Sequence, residues 1–178
     1  IKGRSGWTPY FRIYDNGKGR PPETIWKHED VGSNRTSKAE IKQILPDQEP
    51  FATPKPSRLI RRIIEIASSP DSLILDSFAG SGTLGHAVLA ANAKDEGSRK
   101  FILIETEEYA DALTAERVRR VIGGVPSAKD DSLRAGLGGS FTFCALGDSL
   151  ELERFFDGET RPSWEQVARY VAFTATGE

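Results

Sequence analysis

The spacing of apolar positions along the chain changes several times, and each change marks an element. Leu59, Ile60, Ile63, Ile64 and Ala67 recur at helical spacing while Arg58, Arg61, Arg62 and Glu65 take the other side. This predicts an amphipathic helix opened by Ser57, one face of it buried. Upstream, Ser37-Lys38-Ala39-Glu40 has the spacing of a capping box, in which hydroxyl and carboxylate reciprocally satisfy free backbone N–H groups, and predicts a helix ending near Leu45 before Pro46. From Pro46 to Pro56 prolines recur without periodicity, so Gln48-Glu49-Pro50-Phe51-Ala52-Thr53-Pro54-Lys55-Pro56 reads as an extended loop.

After Pro70 the period shortens. Leu73-Ile74-Leu75 predicts a short strand ending at Asp76, followed by a glycine-rich turn, Phe78-Ala79-Gly80-Ser81-Gly82. A small-residue helix follows from Thr83 to about Asn92, Asp95-Glu96-Gly97 turns the chain, and Lys100-Phe101-Ile102-Leu103-Ile104-Glu105 is an apolar strand ending in an acid. Strand, helix and strand in this order predict a βαβ unit. A second amphipathic helix is expected from Glu107 to Ile122, stopped by Gly123-Gly124, and a third strand over Phe141-Thr142-Phe143-Cys144-Ala145-Leu146. Gly136, Gly138 and Gly139 mark a flexible link between them, a further helix is expected near Trp164 to Tyr170, and no internal repeat is evident.

With 178 residues, 38% hydrophobic and 28% charged, the chain suits one soluble globular core and excludes collagen-like, disordered and coiled-coil classes. Apolar runs such as Phe101 to Ile104 fall far below the roughly 18 residues that cross a bilayer, so no membrane association is expected. A single cysteine, Cys144, and two histidines, His28 and His86, predict a cytoplasmic protein without disulfide or metal site. His28 reads as a loop residue and His86 as a packing or surface residue. No methionine stands at residue 1 and no secretory signal is recognisable, which suggests a fragment of a longer chain.

Charge adds an asymmetry. Residues 1–44 carry nine Lys/Arg against five Asp/Glu, a net +4, and residues 45–178 carry 15 against 21, a net −6. The basic front interleaves cations with aromatics (Lys2, Arg4, Trp7, Tyr10, Phe11, Arg12), a mixture that suits phosphate contact and base stacking and equally suits a solvated strand pair.

Parallel strands joined by helices bind ligands at their carboxyl ends, and here both strands deliver an acid there. Asp76 closes the first and Glu105 the second, 29 residues later; a carboxylate so placed can accept both hydroxyls of a ribose. Gly80 and Gly82 let backbone approach a ligand closely, and the following helix directs unpaired N–H groups at an anion. Gly80-Ser81-Gly82-Thr83-Leu84-Gly85 also matches the dinucleotide pattern G-x-G-x-x-G, but Asp76 stands where a pyrophosphate would be repelled. A P-loop is excluded because no Gly-Lys-Ser/Thr follows. The charge favours a cationic or zwitterionic ligand.

Phe51-Ala52-Thr53-Pro54-Lys55-Pro56 with Leu59-Ile60, then Asp76-Ser77-Phe78-Ala79-Gly80-Ser81-Gly82-Thr83, resembles the beta-class amino-methylating (adenine-N6) DNA methyltransferases. Within them the chain is most similar to the modification subunit of type III restriction-modification systems, through Ile25-Trp26, Val31-Gly32-Ser33-Asn34 and the segment from Phe141 to Gly147, and the resemblance covers residues 24–150. It implies an α/β fold, a Rossmann-like S-adenosylmethionine-dependent methyltransferase sheet with helices on both faces, of which this chain holds part. Residues 1–44 would be the end of a DNA-facing target-recognition region and linker, 45–150 the S-adenosylmethionine-binding portion, and 151–178 an unassigned C-terminal extension. The cofactor would be S-adenosylmethionine, wrapped by Phe78, Ala79, Gly80, Ser81, Gly82 and Thr83, with Asp76 attracting its cationic groups, Glu105 on its ribose, and Thr53 and Lys55 closing the pocket. Asp148 is a candidate for its adenine amino group. DNA, a restriction subunit and a second copy of the chain are the partners implied.

The methyl-transfer motif of that family, Asp/Asn/Ser-Pro-Pro-Tyr/Phe, is missing. Arg20-Pro21-Pro22-Glu23 carries a cation and an acid where an acceptor and an aromatic are needed, and reads as a turn. No catalytic residue is assigned, and the chain by itself is expected to be inactive. The competing readings are a non-catalytic specificity or interaction module of a methylase complex and an NAD- or FAD-dependent oxidoreductase.

Overall fold

A computed structural model describes residues 21–147 and 163–176, and the backbone of the pairs 2–3 and 6–7. The remaining basic and aromatic positions of the first twenty residues, and Asp148, lie outside the described residues. The described residues fall into two compact units, 1–141 and 142–178.

In the first unit, β1 (Lys2–Gly3) pairs antiparallel with β2 (Gly6–Trp7). Then come α1 (His28–Val31), α2 (Asn34–Ile44), α3 (Ser57–Ala67), β3 (Leu73–Asp76), α4 (Thr83–Asp95) and β4 (Lys100–Leu103). A π-helical segment, Ala110–Ala115, runs directly into α5 (Glu116–Gly123), and α6 (Asp131–Ala135) follows. The predicted βαβ unit is present: β3 and β4 are parallel, with Leu73 opposite Lys100 and Asp76 opposite Leu103, and α4 makes the crossover. Both runs are four residues long and flanked by turn residues, which suits strands rather than helices.

Two clusters form the core. Ile64 of α3 packs with Ala87, Val88 and Ala91 of α4, and Ile60, Ile74 and Phe101 close around them. Ile44, Leu45, Leu89, Leu113, Val118, Val121, Val125 and Leu133 form the other, against which Phe101, Leu103 and Phe141 pack. Alpha4 enters both because it is built from small residues. A Cβ on Gly85 would stand 3.0 Å from Val118 Cγ2 and 3.2 Å from Leu103 Cδ1, so this glycine sets how closely α4 approaches α5 and β4. Among the described residues the helices cover one face of the strand pair. On the other face Leu73, Leu75, Ile102 and Ile104 are 63%, 60%, 46% and 47% exposed, so the expected second helical layer is not among them.

Three sequence expectations are corrected. The capping box of α2 is Ser33 with Thr36, not Ser37 with Glu40: the Thr36 N–H donates to Ser33 Oγ and the Ser33 N–H to Thr36 Oγ1. Ser37 lies inside the helix, buried, its hydroxyl donating to the Pro54 carbonyl at 2.7 Å. Glu40 is drawn elsewhere, to the Ser57 hydroxyl and to Arg117. Pro56, not Ser57, is the capping residue of α3. Residues 141–146 form no strand, and beyond Phe141 they are exposed, so the alternation of apolar residues has no buried face to serve.

The C-terminal end of α2 is fixed from α5. Arg120 donates to the Ile44 carbonyl at 3.2 Å and holds Asp47 through both oxygens, at 2.5 and 2.8 Å. Hydrogen bonding to Arg120 is the main reason the Asp47 carboxyl is lowered to about 2. In the second unit, α7 (Trp164–Thr176) opens with Ser163 and Gln166 bonded reciprocally, and exposes Trp164, Tyr170, Val171 and Phe173.

Candidate functional site

The glycine turn leaves β3 at Asp76, whose Oδ1 accepts the Phe78 N–H at 3.1 Å and fixes the exit from the strand. The strand ladder continues past its ends, with the Ile104 N–H donating to the Asp76 carbonyl at 2.9 Å and the Ala79 N–H to the Ile104 carbonyl at 3.0 Å. The backbone then passes through two left-handed positions, Gly80 at φ +51° and Gly82 at φ +71°, before α4 begins at Thr83. A side chain at Gly82 would also meet the Thr114 carbonyl oxygen at 2.7 Å. Glycine is required there twice over, by backbone angle and by space.

Glu105 closes the other side. Its Oε2 accepts the Gly80 N–H at 2.8 Å, and its Oε1 the N–H groups of Thr106 at 2.8 Å and Glu107 at 3.1 Å. Burial opposes ionisation of this carboxyl, but the three backbone donors and the Tyr109 hydroxyl outweigh it and hold it below its ordinary range. Burial, and then the same carboxylate, raises Tyr109. Phe51 packs edge-on against Tyr109 with ring centroids 5.6 Å apart, and its ring would stand 3.5 Å from a Cβ on Gly80.

Behind the turn lies Arg117, fully buried. It donates to the Ser81 carbonyl and hydroxyl, both at 3.3 Å, to Thr83 Oγ1 at 3.0 Å, to Glu40 Oε2 at 3.3 Å and to His86 Nδ1 at 3.1 Å. His86 is buried, and burial, then Arg117 and Arg61, lower it well below its ordinary value, so the ring is neutral and accepts at Nδ1. One turn earlier, the Thr114 hydroxyl donates to the Gly80 carbonyl at 2.5 Å.

Asp76, the 78–83 turn and Glu105 therefore share one end of the sheet, as expected from the sequence. Within the turn Phe78 is 89% exposed, whereas the hydroxyls of Ser81 and Thr83 point inward at Arg117. Lys55 joins through its backbone, its carbonyl accepting the Thr83 hydroxyl at 3.4 Å, with its side chain exposed, and Thr53 is exposed. Pro21 and Pro22 are exposed and irregular. His86 proves to be a core residue. Among the described residues no cluster of His, Cys, Asp and Glu could hold a metal, and no helix is long and apolar enough to cross a membrane. A cavity of about 460 Å³ between α2, α3, α4 and α6, lined by Glu40, Arg58, Arg61, His86, Lys94 and Leu133, does not include the strand-end carboxylates.

Sequence reasoning missed Arg117, Glu40 and Thr114. A signal for two of them existed. Leu113, Arg117, Val118 and Val121 form one helical stripe, as do Ser37, Glu40, Ile41 and Ile44, and opposite charges on two apolar stripes mark a buried pair.

A bend braced between two acids at the carboxyl ends of two parallel strands joined by a helix is an α/β arrangement. The chain belongs to the DNA methylase family, whose sequence pattern it matches over residues 4–116. It is 35% identical, over 97% of its length, to the Mod subunit of the type III restriction-modification enzyme StyLTI from Salmonella typhimurium, covering 28% of that protein. It is 32% identical over 66% of its length to the EcoPI Mod subunit of Escherichia phage P1, covering 20% of it. To the DNA adenine methyltransferase YhdJ of Escherichia coli it is 36% identical, over 50% of this chain and 28% of that protein. The chain thus spans less than a third of the length of each of these relatives.

Proposed function

We propose that this chain is the cofactor-binding part of a DNA adenine-N6 methyltransferase of a restriction-modification system, and that its ligand is S-adenosylmethionine. The observation that carries the reading is the hydrogen bond from the Gly80 N–H to Glu105, which joins the turn after one parallel strand to the acid after the next. The βαβ unit is read as part of a Rossmann-like sheet with helices on both faces, the exposed strand face belonging to its second layer. The names of the relatives support DNA as substrate and adenine as target base, and a restriction subunit as partner.

The residues present fit this group. S-adenosylmethionine carries a sulfonium, an ammonium, a carboxylate and a ribose diol, and when bound it supplies an electrophilic methyl group. Asp76 is half-buried and keeps lone pairs beyond the one used by Phe78 N–H, so it can hold the cationic part. Glu105 stays ionised and is held rigidly by backbone donors, ready to accept a ribose hydroxyl in exchange for a weaker partner. Phe78 is exposed next to Asp76, and the Lys55 carbonyl, which accepts the Thr83 hydroxyl, ties the Pro-Lys-Pro segment to the turn. A dinucleotide pyrophosphate would meet the Asp76 carboxylate, which argues against the NAD or FAD alternative. Residues 1–44 are assigned to the end of the DNA-facing region and 45–150 to the cofactor portion. No residue is assigned to methyl transfer itself, and the chain alone is taken to be inactive.

Calorimetry on the full-length polypeptide containing this chain, with S-adenosylmethionine, S-adenosylhomocysteine and NAD, tests the reading. Binding of the first two and not the third is expected; the reverse order overturns it.

A further inference from the structure

We propose that Arg117 is the positioning residue of the 78–83 turn, setting the direction of its peptide groups and through them its affinity for the cofactor; the assignment rests on the cofactor reading above. A fully buried guanidinium is costly to desolvate and is retained where its donors are needed. Two of its neighbours, Glu40 and His86, meet one terminal nitrogen. The other nitrogen is spent wholly on the turn: the Ser81 carbonyl, the Ser81 hydroxyl and Thr83 Oγ1. Its Nε is buried and has no partner, so the group is placed for the turn rather than for its own full satisfaction.

The geometry explains what this placement does. With glycines in left-handed conformation on both sides of Ser81, neither intervening peptide plane belongs to a helix or strand ladder; the Ser81–Gly82 plane is held by its N–H, which donates to the Ala79 carbonyl at 2.9 Å, and by its carbonyl on Arg117. Thr114 takes the Gly80 carbonyl at 2.5 Å and Arg117 takes the Ser81 carbonyl, so consecutive carbonyls are anchored on one side from residues one helical turn apart. In a trans peptide the N–H points opposite the carbonyl, so anchoring the Gly80 carbonyl directs the Ser81 N–H away from the anchor. Thr83 relays the hold, accepting from Arg117 while donating to the Lys55 carbonyl. Glu40 fixes Arg117 from α2 and also receives the Ser57 hydroxyl at the start of α3, so the turn, the Pro-Lys-Pro segment and both helices share one hub.

The test uses the full-length polypeptide, with S-adenosylhomocysteine binding measured by calorimetry and KM for S-adenosylmethionine and kcat measured on a DNA substrate. Arg117→Lys keeps a cation for Glu40 but cannot reach three turn acceptors as well. It is expected to weaken binding roughly tenfold and raise KM to match, with kcat at saturating cofactor within about twofold, the loss of one charge-assisted contact set. Thr83→Val keeps the side-chain shape and removes the acceptor; roughly threefold weaker binding is expected, and less than additive loss in the double variant. A purely structural role lowers melting temperature without separating KM from kcat. Folded Arg117→Lys with wild-type affinity overturns the assignment, and if that variant does not fold, wild-type affinity in Thr83→Val does so. Wild-type protein that binds no S-adenosylhomocysteine overturns the cofactor reading itself.

Discussion

Gly80 gives its backbone N–H to Glu105 Oε2 at 2.8 Å, so the tightest part of the turn after β3 is tied to the residue that ends the neighbouring run. Glu105 accepts two further backbone N–H groups through its other oxygen, and only a carboxylate accepts at both. Glu105→Gln must turn an NH2 toward at least one donor. The expected outcome is at least about tenfold weaker S-adenosylhomocysteine binding and faster amide exchange at Gly80, since charge-assisted bonds are roughly twice as strong as neutral ones. Unchanged exchange and affinity would remove Glu105 from the site.

The same contact predicts a pH dependence. Because the folded state holds the Glu105 carboxyl below its ordinary range, its contribution to stability is complete above the unfolded value and is lost as pH falls through the lowered one. Protection of the Gly80 amide should therefore persist from neutrality down past about pH 4, where a free glutamate protonates, and fail only below it. Exchange followed by NMR between pH 7 and pH 2.5 reads this directly; protection lost already near pH 5 contradicts it.

Three glycines should behave differently on substitution by alanine. Gly82→Ala combines a left-handed backbone with a Cβ 2.7 Å from the Thr114 carbonyl oxygen, and should cost about 3 kcal/mol. Gly80→Ala shares the backbone angle, but its Cβ meets only ordinary contact with Phe51 at 3.5 Å, so about 1 kcal/mol is expected. Gly123→Ala meets nothing within 4 Å at the end of α5 and should be neutral or gain about 0.5 kcal/mol. Denaturant titration ranks them, and equal losses at Gly80 and Gly82 would show that the close carbonyl plays no part.

Asp76→Asn separates charge from shape. The asparagine oxygen can still accept the Phe78 N–H, so the turn should survive with a melting temperature near wild type, while S-adenosylmethionine affinity falls about tenfold for the lost charge. Parallel melting and calorimetry check it; retained affinity would take the Asp76 charge out of recognition.

Much of the βαβ unit and its site was legible because local signals and tertiary outcome agree. Leu73 to Asp76 and Lys100 to Leu103 are apolar runs of strand length bounded by turn residues, and α3 carries an unmistakable helical stripe. The failures arise where a distant partner decides. Ser33-Thr36 and Ser37-Glu40 both have capping spacing, and the choice fell to Ser33 once Glu40 was taken by Arg117, 77 residues away. Phe141 to Leu146 alternates like a strand, yet a strand requires a neighbour to pair with and a face to bury, and neither is written in those six residues. Ser81 and Thr83 stand in the turn that the family resemblance gives to the ligand; that their hydroxyls also meet Arg117 depends on a residue 36 and 34 positions away, which no local pattern in the turn shows.

The π-helical segment before α5 has a consequence of its own. Such a segment accommodates an additional residue in what would otherwise be a regular helix. Deleting one residue between Ala110 and Ala115 would therefore be tolerated by the helix as a whole, which would relax to ordinary winding with Val118 and Val121 still in the core. Because the surplus residue is absorbed within the segment, the turns on either side would keep their phase and Tyr109 would stay against Phe51. The same deletion in the regular helix α4 would rotate one flank against the other by about 100°, the angle between successive α-helical residues. The stretch ahead of α5 thus carries slack in chain length that the neighbouring helix lacks.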